Sequence, residues 1–189
     1  YKAPIVPGSL GGWAEALKRY GTMSLGDVFE IAIDLAEGGF AVSKYDATSF
    51  AGSAKKLAKF PTTAKIFLPN GKPPREGQIL KQPELAASFR LVAKHGADVF
   101  YKGELAEKIV KFFKENGGLL SMEDMTSWKP RWREPIQTTF QGYTLLSMPP
   151  GSCGITMFQA LNIMDGFDLK NIDPYSVDWN SDRAPNFTI

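Results

Sequence analysis

The chain has 189 residues, 22 basic against 20 acidic for a net charge of +2, with one cysteine and one histidine. Both signs of charge are mixed along its length, which excludes the basic stripe that nucleic acid requires. The lone Cys153 excludes an internal disulfide and, with the lone His95, argues against a zinc site of the usual soft ligands.

No run approaches the roughly 18 apolar residues needed to span a bilayer. The length suffices for one domain that buries about 70% of its unfolded surface. Tyr1-Lys2-Ala3-Pro4-Ile5 does not read as a natural start, which leaves room for a removed leader, so the chain is treated as a piece of something larger.

In chain order, Val6-Pro7-Gly8-Ser9 predicts a turn, and Gly11-Gly12 leads into an amphipathic helix over Trp13 to Tyr20, ended by Gly21. Ser24 with Asp27 forms a capping pattern for a helix whose Val28, Ile31, Ala32 and Leu35 mark one face, ending at Gly38-Gly39. Ser43 caps a third helix running to about Lys59, before Pro61. Pro61 to Gln82, punctuated by Pro69-Asn70-Gly71 and Pro73-Pro74, reads as a surface excursion with one short strand or turn, its main apolar run being Ile66-Phe67-Leu68. Pro83 suits a helix start, and that helix runs to Gly96. Another follows Gly103 until Asn116-Gly117-Gly118, and Ser121 with Asp124 caps a short one.

Beyond Trp128 the period alternates. Pro135 to Phe140 and Tyr143 to Met148 flank Gln141-Gly142, predicting a β-hairpin. Pro149-Pro150 stop the second strand, Ser152 is positioned to cap a helix, and Ile155, Phe158, Leu161 and Ile163 carry that helix to Gly166. Helices first, then a hairpin feeding a helix, give an α+β class.

The joint between that strand and helix has two readings. Free N–H groups at a helix start can hold an anion or an oxyanion, or Gly151, Ser152 and Gly154 let the helix pack close against its own strand. The joint is neither a phosphate loop nor a Gly-x-Ser-x-Gly elbow. Cys153 and His95 suggest a thiol nucleophile and base, but His95 sits at a helix end, where the dipole favours it regardless. Glu104 with Glu107, and Glu123 with Asp124, lie in first helical turns, where acids are expected. Arg131-Trp132-Arg133-Glu134 offers an arginine fork for a carboxylate, or an alternating surface charge cluster. Asn186-Phe187-Thr188 fits a glycosylation sequon of low specificity. No set of residues assembles a complete catalytic constellation.

The order of longer phrases carries more. Val6-Pro7-Gly8-Ser9-Leu10-Gly11-Gly12-Trp13, Arg19-Tyr20-Gly21-Thr22-Met23 and Ala36-Glu37-Gly38-Gly39-Phe40 with Val42-Ser43 come first. Gln82-Pro83-Glu84-Leu85-Ala86, Phe100-Tyr101-Lys102-Gly103 and Asn116-Gly117-Gly118-Leu119 follow. Phe140-Gln141-Gly142-Tyr143 and Pro149-Pro150-Gly151-Ser152-Cys153-Gly154 before Leu161-Asn162-Ile163 close the series. Together they resemble the large subunit of the gamma-glutamyltransferases over about residues 5 to 170. The chain departs from that pattern at Gly151, Cys153 and Ile155, where the family has proline, serine and glycine. It departs again after Leu169, where a long family helix is replaced by a short polar tail in which Ser181-Asp182-Arg183 is a candidate remnant.

The resemblance implies a single domain over residues 1–189, a fragment of the large subunit with an atypical tail at 171–189, in an N-terminal-nucleophile hydrolase αββα sandwich. It implies a precursor that cuts itself, so that a small subunit with a new N-terminal threonine becomes the partner and a small-molecule amide such as glutathione the substrate. No cofactor, metal or nucleic-acid partner is implied, and family members are often exported. The arginine that holds substrate is expected upstream of Tyr1 and the threonine downstream, so no catalytic residue is assigned in this chain. A related acylase for a cephalosporin side chain or oxamate, a noncatalytic module on the same scaffold, and an independent Cys153/His95 thiol hydrolase stand as alternatives.

Overall fold

A computed structural model describes residues 2–168, which divide into two compact units, the second beginning at Arg131. The atypical tail expected at 171–189, with Ser181-Asp182-Arg183 and the Asn186 sequon, lies outside the described residues.

The first unit is helical: α1 (Ser9–Tyr20), α2 (Leu25–Gly38), α3 (Lys44–Leu57), α4 (Pro61–Phe67), α5 (Pro83–His95), α6 (Asp98–Tyr101), α7 (Glu104–Glu115) and α8 (Met122–Ser127). Local chemistry sets the starts of several. Ser24 Oγ accepts the Asp27 N–H at 3.1 Å while Asp27 accepts the Ser24 N–H at 2.8 Å, a reciprocal capping box repeated by Ser121 and Asp124 at 3.1 and 2.9 Å. Each serine holds its partner carboxyl below the ordinary range. Ser43 caps α3 by accepting the Asp46 N–H at 3.1 Å.

Two clusters form the core of this unit. Phe29 of α2, Val92 of α5 and Leu105 of α7 build one, in which the Phe29 and Phe89 rings lie 5.0 Å apart. Tyr101, Ala106 and Met125 build the other, with Met125 wholly buried. A side chain of that size contributes about 1.5–3 kcal/mol when fully buried.

Between α2 and α3 a short strand, β1 (Phe40–Ala41), pairs antiparallel with β2 (Ile79–Leu80), Phe40 opposite Leu80 and Ala41 opposite Ile79. The Val42 N–H donates to the Gln78 carbonyl at 2.9 Å and the Gln82 N–H to the Ala36 carbonyl at 2.7 Å, extending the attachment at both ends. Gly39 is required there. Its φ is +89°, and a Cβ would sit 2.5 Å from Ile79 Cγ2 and 2.9 Å from the Leu80 carbonyl oxygen.

Two expectations are corrected in this unit and a third is met. Helix α1 begins at Ser9, before the expected Trp13, because its first turn is held by Tyr101. The excursion from Pro61 contains a helix, with Pro61 in its first turn, and Phe67 stacks on Phe50 of α3 at 5.7 Å instead of entering a strand. The short strand expected within Pro61 to Gln82 is present at Ile79–Leu80, where β1 supplies the partner.

The second unit is a hairpin and a helix: β3 (Ile136–Phe140), β4 (Tyr143–Ser147) and α9 (Gly154–Met164). Gln141 at φ +48° and Gly142 at φ +83° make the tight turn that closes Phe140 on Tyr143. Thr138 Oγ1 donates to Asn162 Oδ1 at 2.9 Å and the Gln141 N–H to Asp165 Oδ1 at 3.2 Å, tying α9 to the hairpin at two points. The expected Ser152 cap is corrected: Cys153 occupies the N-cap position and no side chain caps the helix. Ser152 lies one residue earlier, bridged to Pro150 across Gly151, whose φ of +111° delays the helix by that residue.

Candidate functional site

At the joint between β4 and α9, Gly154 is buried, and a Cβ on it would lie 2.4 Å from Ser147 Oγ and 2.7 Å from the Met148 carbonyl oxygen. Close packing of the helix on its own strand therefore accounts for this glycine. Gly151 faces open space and serves the turn through its positive φ. Arg133 Nη1 donates to the Pro150 carbonyl at 3.3 Å, so one arginine of the 131–134 cluster braces the same turn. Cys153 is exposed at the start of α9.

The remaining candidates have structural employment. His95 closes α5 in the first unit, beside Asp98 and Lys102, which pair with each other at 3.0 Å. Asp124 serves its capping box, and Glu104 faces Lys108 at 3.9 Å in the first turn of α7. Glu107 and Glu123 stand in first turns, where they favour the helix dipole. Among the described residues no group of three or more His, Cys, Asp or Glu is placed to hold a metal ion, and no helix is long and apolar enough to cross a membrane.

Sequence reasoning missed a clasp that joins two of the phrases quoted above to Trp128. The Tyr101 hydroxyl donates to the Pro7 carbonyl at 2.7 Å and accepts the Gly11 N–H at 3.0 Å. Its ring stacks on Trp128 at 5.0 Å and 13°. Trp128 in turn covers Gly8 and Gly11, where added Cβ atoms would lie 2.7 and 2.3 Å from the indole. Burial pushes the Tyr101 phenol up, against the opposing pull of the Gly11 N–H. The spacing of glycines in Val6 to Gly12 is thus a footprint of an indole more than a hundred residues away in sequence. The phrase signalled it; periodicity did not.

A second pair of phrases meets in the same way. Ala36 to Val42 lies along Gln78 to Gln82 through β1 and β2. Arg90 of α5 bonds the Glu37 carboxylate, and that guanidinium holds the carboxyl below its ordinary range. Lys65 does the same for Glu84 at 2.6 Å.

The first unit also holds an apolar cavity of about 560 Å³, lined by Leu10, Trp13, Phe29, Phe89 and Phe112 among others. Its walls supply hydrophobic surface and no nucleophile or base beyond Ser9, Ser88 and Lys108 at its margins.

Comparison with known proteins accounts for this arrangement. The profile of the family described as Gamma-glutamyltranspeptidase matches residues 1–182. The Acylase ACY 1 proenzyme of Pseudomonas sp. (strain SE83) is 40% identical over 178 residues, 94% of this chain and 32% of that protein. The Glutathione hydrolase proenzyme of Escherichia coli (strain K12) is 39% identical over 166 residues, 87% of this chain and 29% of that protein. The crystal structure of Helicobacter pylori gamma-glutamyltranspeptidase superposes with a TM-score of 0.87 at 35% identity, over 93% of this chain and 51% of that one. The chain spans about a third of the length of the curated relatives it matches. Its fold is α+β of the N-terminal-nucleophile hydrolase type, a part of an αββα sandwich. On this evidence the chain belongs to the gamma-glutamyltranspeptidase family.

Proposed function

We propose that this chain is the large-subunit scaffold of a self-processing amidohydrolase and acyltransferase that cleaves γ-glutamyl amides such as glutathione. The observation that carries the reading is the 0.87 superposition on a gamma-glutamyltranspeptidase over 93% of the chain. Names of relatives as proenzymes support a precursor that is cut.

In this reading residues 1–189 act as one piece of the large subunit, with 171–189 as its atypical tail, and the partner is a small subunit whose N-terminal threonine arises by the cut. The threonine hydroxyl oxygen attacks the γ-carbonyl carbon while the threonine's own α-amino group takes the hydroxyl proton. That proton passes to the departing nitrogen as the C–N bond breaks, leaving an ester on threonine. Water or an acceptor amine then attacks the ester and releases the acyl group. Hydrogen-bond donors around the carbonyl stabilise the tetrahedral oxyanion.

A second reading is favoured by the 40% identity to an enzyme named an acylase: the same chemistry on another amide, such as a cephalosporin side chain. Incubating the full-length precursor with a γ-glutamyl anilide and, separately, with a cephalosporin amide distinguishes the two. The first reading expects self-cleavage into two chains and amine release from the anilide. Turnover of the cephalosporin alone selects the acylase, and absence of both cleavage and turnover overturns both in favour of a noncatalytic module.

A further inference from the structure

Over the whole chain the two signs of charge nearly cancel, but one stretch departs from that balance. Residues 44–75 hold seven basic side chains against the single acid Asp46, while the rest of the chain holds fifteen basic against nineteen acidic. Lys65 pairs with Glu84, and Asp46 is engaged by Ser43 at the start of α3. Lys44, Lys55, Lys56, Lys59, Lys72 and Arg75 are exposed and have no ion-pair partner among the described residues. An ordinary solvated helix answers its own lysines, as α7 does by setting Glu104 against Lys108 and Glu115 against Lys111 at i, i+4. Helix α3 has no acid beyond its first turn.

The unanswered lysines share one side of α3. At about 100° per residue, Lys44, Tyr45, Lys55 and Lys56 fall in one arc of about 120°. Ala47, Phe50, Ala54 and Leu57, all half-buried, fall on the opposite side, where Phe50 stacks on Phe67 of α4. Neither α3 nor α4 contains a fully buried residue, and the pair is rooted by the buried Val42, Leu68 and Leu80. Tyr45 is 80% exposed at one end of the lysine face, and Phe60 is 43% exposed just past the other. From Lys44 to Lys56 the helix runs about 18 Å, more than twice the screening length of about 8 Å at physiological salt, so the face presents an extended field.

A planar anionic bilayer suits this combination. Clustered lysines gain from the diffuse field of anionic headgroups without fixed geometry, and exposed Tyr and Phe settle at the headgroup level. The basic residues of α3 and α4 are all lysine, with none of the rigid arginine forks that serve oriented phosphate and base contacts. The acid excess of the remaining chain repels a long polyanion running past the face. We propose that the lysine face of α3, with Tyr45 and Phe60 at its ends, is a peripheral contact surface for an anionic lipid bilayer. The contact is with headgroups and crosses no membrane. It is independent of the amide chemistry proposed above.

The test is co-sedimentation of the full-length protein with vesicles of phosphatidylglycerol mixed into phosphatidylcholine, against vesicles of phosphatidylcholine alone. Binding is expected only to the anionic vesicles at about 0.1 M salt, and is lost at about 1 M, where the screening length falls to about 3 Å. Lys55→Gln with Lys56→Gln and Lys59→Gln should lower partitioning about a hundredfold. Lys108→Gln with Lys111→Gln and Lys114→Gln on α7 makes the same change in net charge and should leave it within about twofold. No binding, equal binding to both vesicles, binding that survives about 1 M salt, or equal loss in the two triple variants would each overturn the proposal. Single-stranded DNA displacing the protein from the anionic vesicles would overturn it in favour of a nucleic-acid surface. The lipid and salt arms use the parent protein and decide the matter even if a variant fails to fold. Vesicle binding by a protein that turns over no amide removes only the enzymatic reading.

Discussion

The two units differ in how much of their own stability they contain. In residues 1–130 the described buried apolar side chains run from Phe29 to Met125 and include two packed clusters, whereas in the described part of the second unit only Phe158 is a buried apolar side chain. A two-stranded hairpin is marginal in water unless more strands or a helix cover it, and here a single helix covers one face. The first unit is a core with a surface. The second is a fitting that relies on precise local contacts.

The largest expected effect tests the first half of that contrast. Met125→Ala removes a wholly buried side chain from the Tyr101 cluster and is expected to destabilise the protein by about 2–5 kcal/mol, read as a fall in the denaturant midpoint of the full-length protein. A loss below about 1 kcal/mol would mean that this cluster does not hold the first unit together.

Next comes the second unit. Gly154→Ala drives a methyl group to within 2.7 Å of the Met148 carbonyl oxygen, and an overpacked contact of that kind costs about 1–3 kcal/mol. Hydrogen exchange should show protection lost in 136–147 and 154–164 with α2 and α5 unchanged. Equal loss in both units would break the contrast.

Tyr101→Phe sharpens the picture of the first unit by keeping the ring on Trp128 while deleting the bonds to Pro7 and Gly11. With the buried Gly11 N–H left unpaired, a loss of about 1–2 kcal/mol is expected, with exchange of the 9–12 amides accelerated ahead of the rest.

The smallest effect is on acid stability. Asp27 and Asp124 have carboxyls lowered by their serine partners, so the folded state favours the ionised form. Their contribution is complete above the ordinary carboxylate range near pH 4 and is lost as pH falls through the lowered folded value. Asp27→Asn with Asp124→Asn should therefore flatten the acid limb of a stability–pH curve and leave it unchanged in shape above pH 6. Both residues lie in the first unit, so a change centred on α9 would contradict their assignment.

What was legible in the sequence was what is encoded locally. Ser24–Asp27, Ser43–Asp46 and Ser121–Asp124 announce helix starts because both capping partners lie within one turn, and Gln141-Gly142 announces its hairpin because both residues adopt positive φ. The α4 helix was hidden by the prolines and Asn-Gly that follow it, and the β1–β2 pair by its two-residue strands, too short to show alternation. Ser152 misled by one position, since a good capping residue stood where Gly151 turns the chain first. The Tyr101 clasp and the Arg133–Pro150 brace join residues distant in sequence and leave no period at all. The family phrases nevertheless contained its small residues and its phenol, since Gly8 and Gly11 are small for the sake of Trp128 and Tyr101 closes the bonds. For the candidate site the sequence offered separate polar residues, and the structure gives Asp124, Glu104 and Arg133 work as cap, pair and brace, with His95 in the last turn of α5.

The clasp also bears on how the molecule would come apart. Since the Pro7 carbonyl and the Gly11 amide are bolted to a phenol some ninety positions later, a single protease nick in the intervening loops would not release the leading helix. The two pieces should elute together from a sizing column and part company only on a denaturing gel, so an apparently intact preparation is best judged by the gel.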